Sequence, residues 1–90
     1  MARDELENAA ESIEEAATAA SDDEAQDRLQ NQAATFEDYA TADSGPDHGQ
    51  LARHEHILKD IADDEGGDAA AAIDDALEAI TEHRSTLEGV

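Results

Sequence analysis

Cysteine is absent from the 90 residues, so neither disulfides nor thiolate metal sites can staple the chain. Aromatic side chains are confined to Phe36 and Tyr39, and the single proline is Pro46. Positive charge is also scarce. Five Lys plus Arg stand against 25 Asp plus Glu, for a formal charge of −20. A surface this negative repels phosphate backbones and anionic bilayers, so neither nucleic acid nor membrane is expected as a partner. Long apolar runs are missing too: the longest, residues 69–73, is too short to cross a bilayer or to form a leader core. The start, Met1-Ala2-Arg3-Asp4-Glu5, is charged, so a cytoplasmic location is expected. The length allows one small domain and no second core.

What is present is acid and alanine. Asp4, Glu5, Glu7, Glu11, Glu14 and Glu15 crowd one short stretch, and Asp22-Asp23-Glu24, Asp63-Asp64-Glu65 and Asp74-Asp75 follow. Pairs four apart on a helix, such as Glu7 with Glu11 or Glu78 with Glu82, destabilise it by roughly 0.2–0.5 kcal/mol each. High charge with few aromatics is also the composition of disordered chains. Disorder predicts no regular apolar spacing, however, and here the spacing is regular. Molar salt shrinks the Debye length to about 3 Å and screens the repulsion. The reading is a folded protein of an extreme halophile, its acids holding bulk K⁺ and Na⁺ and not marking a binding site.

The spacing predicts four helices and no strand. Leu6 and Ile13 lie seven apart, as do Leu29 and Phe36, Leu51 and Leu58, and Ile73, Ile80 and Leu87, with alanines on the same faces. The first two stripes cannot share one helix. The 16 steps from Ile13 to Leu29, at about 100° each, leave them roughly 160° out of line. Ser21-Asp22-Asp23-Glu24 in that gap reads as a capping box with Ser21 at the N-cap. Asp4 with Glu7 and Asp47 with Gln50 are weaker start signals, Gly66-Gly67 ends the third helix, and Asp68 is placed to cap the fourth.

Helices are therefore expected near 4–20, 22–41, 48–64 and 69–88, with a Pro/Gly loop over 43–49. The fold class is all-α: a small antiparallel four-helix bundle made of two helical hairpins. Its apolar side chains are few and small, so a homodimer that pools two thin cores is a natural completion.

The segment Gly45-Pro46-Asp47-His48-Gly49-Gln50-Leu51-Ala52-Arg53-His54-Glu55, followed by Gly66-Gly67-Asp68-Ala69, resembles a family of short, acidic, uncharacterised haloarchaeal proteins. The likeness spans essentially the whole chain, with this central part its only distinctive motif. It implies a salt-rich intracellular setting and brings no activity, cofactor or catalytic residue.

Candidate chemistry is sparse. His54 falls between Leu51 and Leu58 on the apolar stripe, where a largely buried neutral imidazole hydrogen-bonded to a loop or a neighbouring helix is a simpler reading than a ligand or catalytic base. His54 and His56 point to opposite sides and cannot share a metal. His56 with Asp60, joined by Asp63 or Asp64 and helped by His48, is a weak candidate metal site that lacks a second imidazole or a thiolate at zinc spacing. Asp63-Asp64-Glu65-Gly66-Gly67-Asp68 misses the EF-hand pattern because the first ligand position falls on Ile61 or Ala62. Glu55 with Lys59 is placed for an i,i+4 ion pair. Pro46, Asp47, Gly66 and Gly67 are read as structural: a fixed turn, a helix cap and a helix stop. No phosphate loop, zincin motif or nucleophile elbow occurs, and the serines at 12, 21, 44 and 85 lack a base partner. No cofactor is expected. The leading function is non-enzymatic, through self-association as a dimer or through an unidentified protein partner. A metal-responsive module and an acidic nucleic-acid mimic are the alternatives.

Overall fold

The computed structural model describes residues 4–42 and 45–87. Four helices account for nearly all of them: α1 (Asp4–Ala19), α2 (Asp23–Thr41), α3 (His48–Glu65) and α4 (Gly67–Ser85). Residues 43 and 44 of the expected loop and residue 88 of the expected fourth helix lie outside the described residues. Each helix turns its apolar stripe inward. Leu6, Ile13, Leu29, Phe36, Leu51, Leu58, Ile61, Ile73 and Ile80 are all fully buried, with nine buried alanines filling the space between them.

Three contacts establish the direction of each helix. Ser21, in the α1–α2 turn, meets Glu65 at the end of α3. Glu5 at the start of α1 faces His83 near the end of α4, and Arg84 reaches His48 at the start of α3. Neighbours therefore run antiparallel, and the ring order is α1, α2, α3, α4.

The four sides of this ring are unequal. Backbone approach is most extensive between α1 and α4, nearly as extensive between α1 and α2, smaller between α3 and α4, and slight between α2 and α3. Side-chain size is the cause, because interaxial distance follows the residues at the contact. On α1, Ala9 and Ala16 lie on the side of Glu5, toward α4, and Ala10 and Ala17 on the side of Glu14, toward α2. Ala69 and Ala76 answer them from α4, and Ala33 from α2. Helix α3 buries Leu51, Leu58 and Ile61 and meets α2 through Phe36, Tyr39 and His54, whose rings hold the two helices apart.

Two expected caps move. Asp22, not Ser21, is the N-cap of α2: its carboxylate accepts from the Ala25 N–H at 3.1 Å. Ser21 is diverted because Glu65 Oε1 accepts from its backbone N–H at 2.9 Å. Nor does Asp68 cap α4; it sits inside the first turn. The connection has shrunk to one residue, with Gly66 serving as C-cap of α3 and N-cap of α4. Its N–H donates to Ala62 O at 2.8 Å, and its carbonyl accepts from the Ala70 N–H at 3.2 Å. This double role needs φ 62° and ψ −170°, a conformation reserved for glycine. At the other end of α3, Asp47 and Gln50 form a reciprocal capping box, with bonds of 2.8 and 3.0 Å, and Pro46 is buried beneath it. Helix α4 stops at Ser85 because its last turn tightens into i→i+3 bonds, Thr86 N–H to His83 O and Leu87 N–H to Arg84 O. Leu87 still rests half-buried on the core.

Candidate functional site

Most of the interhelical polar chemistry gathers around α3, on the side where the alanine seams give way to larger groups. His54 projects from α3 toward α2. Its Nδ1 lies 2.7 Å from Gln32 Oε1 and its Nε2 3.0 Å from the Tyr39 hydroxyl. An amide oxygen only accepts, so the imidazole proton sits on Nδ1 and Nε2 accepts from Tyr39. Both aromatic rings of the chain surround the imidazole edge-on: Phe36 at 5.4 Å and Tyr39 at 5.7 Å between centroids, with Phe36 and Tyr39 themselves 5.6 Å apart. Burial, and secondarily the Arg53 charge, holds the His54 pKa below the usual histidine value. The cluster thus favours the neutral form of His54 and bridges two helices that barely touch through their backbones.

A second cluster joins α3 to the end of α4. Arg84 Nη1 donates to Glu55 Oε1 at 3.0 Å, and Arg84 Nε donates to His48 Nδ1 at 3.2 Å. The Glu55 side chain is only 16% exposed, so this ion pair is better shielded than a surface pair. It also redirects Glu55, whose carboxylate was expected to pair with Lys59. Beside it, His83 is buried within the core stripe with Nδ1 3.9 Å from Glu5 Oε1. Sequence reasoning passed over His83 and Arg84. His83 had a signal, since it continues the Ile73, Ala76, Ile80 stripe; the partners of Arg84 are 29 and 36 residues away and left none.

The expected metal ligands do not come together. His56 Nε2 and Asp60 Oδ2 face each other at 3.9 Å on the solvent side of α3, both well exposed. Asp63 and Asp64 are exposed as well, and among the described residues no three His, Cys, Asp or Glu side chains converge on a cation position. Distance along the axis separates Asp63, which lies seven residues beyond His56 on the same face but about 10 Å further on, whereas Asp64 points toward α2 and borders a pocket with Arg28 and Ile61. Of the acids that end α3 against the helix dipole, Glu65 is taken up by Ser21. The remaining structural candidates, Asp47, Pro46, Gly66 and Gly67, sit at the two ends of α3 described above.

The α1–α2 side carries a different chemistry. Glu7, Ala10, Glu11, Glu37, Ala40 and Thr41 line a shallow groove of about 340 Å³. Glu37 shares a hydrogen bond with Glu14 across the seam, and that bond and the Glu14 charge raise the Glu37 pKa. Among the described residues, no base lines this groove. Among the described residues, no helix is long and apolar enough to cross a membrane.

The family described as "Family of unknown function (DUF7553)" matches residues 1–86. That match bears out the expectation of an uncharacterised family. No curated protein and no solved structure matches the chain.

Proposed function

The chain belongs to this family of unknown function, and we propose from its geometry that it is a non-enzymatic helical-bundle module that works by self-association in the electrolyte-rich cytoplasm of a haloarchaeon. The observation that carries the reading is the inequality of the bundle's sides. Three are closed by backbone approach, whereas α2 and α3 are held together by the Tyr39–His54–Gln32 bridge. A core of nine large side chains padded with alanine gains from pooling with a second one. The polar groups that do converge are occupied with one another: Arg84 with Glu55 and His48, and His54 with Tyr39 and Gln32. These networks specify packing, although His48 Nε2 stays buried without a hydrogen-bond partner.

The −20 charge supports the salt requirement, since two copies repel unless the Debye length is short. Light scattering of the full chain across a KCl series tests both parts. The expected result is a dimer in molar KCl that dissociates, and then loses helicity, as salt is withdrawn. A monomer at every concentration, with full helicity in dilute buffer, would overturn the reading.

A further inference from the structure

We infer that two copies of this chain meet across the α2–α3 side on a two-fold axis, with Arg53 of each copy set against Asp64 of the other; this rests on the self-association just proposed and names its surface. The distribution of the few cations is the main argument. Of the described bases, Arg84 is consumed inside the chain by Glu55 and His48, and Lys59 lies on the α4 side of α3. Arg28 and Arg53 remain, both exposed and both bordering the α2–α3 side. The α2–α3 side also carries Asp22, Glu24, Asp64 and Glu65, whereas the α1–α2 side presents Glu7, Glu11, Glu14 and Glu37 with no base among the described residues. Two like-charged chains encounter the least repulsion, and the most complementarity, where the bases are.

The surface also has suitable chemistry and size. Arg53, Ile57, Asp60 and Asp64 recur at spacings of four, three and four, which keeps them on one outer stripe of α3 next to α2. Ile57 on this stripe and Tyr39 across from it are apolar side chains that the core only half covers. A face of the 38 × 21 × 17 Å molecule offers about 800 Å², the per-partner area of a standard specific interface.

The register follows from the helix rise. Arg53 and Asp64 are eleven residues apart, about 16 Å along α3. A two-fold axis crossing α3 perpendicularly near residues 58 and 59 turns the partner helix antiparallel. It brings each Arg53 opposite an Asp64, two ion pairs per dimer, with the Ile57 side chains between them.

Sedimentation velocity on the full chain, at the lowest KCl concentration at which the wild type is still dimeric, tests this placement with the ion pairs screened as little as the dimer allows. Arg53→Glu and Asp64→Arg are each expected to weaken the dimer about tenfold, and the double charge swap to restore it. Asp75→Arg on the outer face of α4 changes net charge as Asp64→Arg does and is expected not to weaken the dimer. A wild-type dimer indifferent to Arg53→Glu and Asp64→Arg, or single losses that the double swap leaves unrepaired, would overturn the interface while leaving self-association standing. A wild type that stays monomeric throughout the KCl series would remove both.

Discussion

Enlarging one alanine in the closest seam and one in the widest separates the packing argument from any general intolerance of bulk. Ala16 is 0% exposed and lies between α1 and α4, where small side chains on both helices bring the backbones together. Ala25 is nearly as well buried at 7%, but it faces α3 and borders a pocket of about 100 Å³ shared with Arg28 and Ile61. Ala→Leu adds three carbons at either position. Where they find room, burying them is worth about 2 kcal/mol. Where they do not, overpacking costs about 1–3 kcal/mol through strained rotamers and displaced helices. Ala16→Leu is therefore expected to lower stability by about 1–3 kcal/mol, a large part of the 5–15 kcal/mol typical of a domain. Ala25→Leu is expected to leave stability within about 1 kcal/mol of wild type or raise it. Urea unfolding followed at 222 nm in molar KCl, with m-values checked for constancy, measures both. Equal destabilisation by the two substitutions, or an Ala16→Leu variant as stable as wild type, would refute the claim that side-chain size sets the unequal sides.

Three further outcomes follow from the geometry. Because burial holds the folded-state pKa of His54 below its unfolded value, the unfolded chain takes up that proton first. Its contribution is complete above about pH 6.5 and is lost as pH falls below it; urea midpoints between pH 7.5 and 5 should drop less in His54→Phe than in wild type. Glu37 has a raised pKa through its bond to Glu14, so its ionisation works against the fold as pH rises past that value. Glu37→Gln keeps a donor and removes the repulsion; its Tm should exceed wild type at neutral pH, by a margin that shrinks with added KCl. Gly66→Ala should cost about 1–3 kcal/mol because its φ of 62° suits only glycine, although a Cβ there meets nothing within 4 Å. Gly49→Ala, in the first turn of α3 with an ordinary 3.5 Å contact to Asp47 Oδ1, should be neutral or stabilising by urea unfolding.

The helices were legible because each is coded locally. Leu6 and Ile13, or Ile73 and Ile80, repeat at the helix period, and Asp47 and Gln50 lie close enough in sequence to form their box unaided. Caps were legible in kind but not to the residue. Ser21 and Asp22 are both competent, and the choice fell to Glu65, 44 residues away from Ser21, which engaged one and left the other. The one-residue turn at Gly66 likewise depends on how closely α4 is drawn back along α3. His54 could be placed on the core side of α3 by counting, yet counting could not supply Gln32 and Tyr39 as its partners.

Periodicity and composition alone therefore settle that this chain makes four amphipathic helices with slender apolar stripes and a heavily acidic exterior, since those properties depend on neighbours within a turn or two. Which helices approach closely, which side stays wide, and which of the few bases are consumed inside the chain were decided only on assembly. These outcomes depend on side-chain sizes and charges meeting across the bundle, and no single helix contains that information.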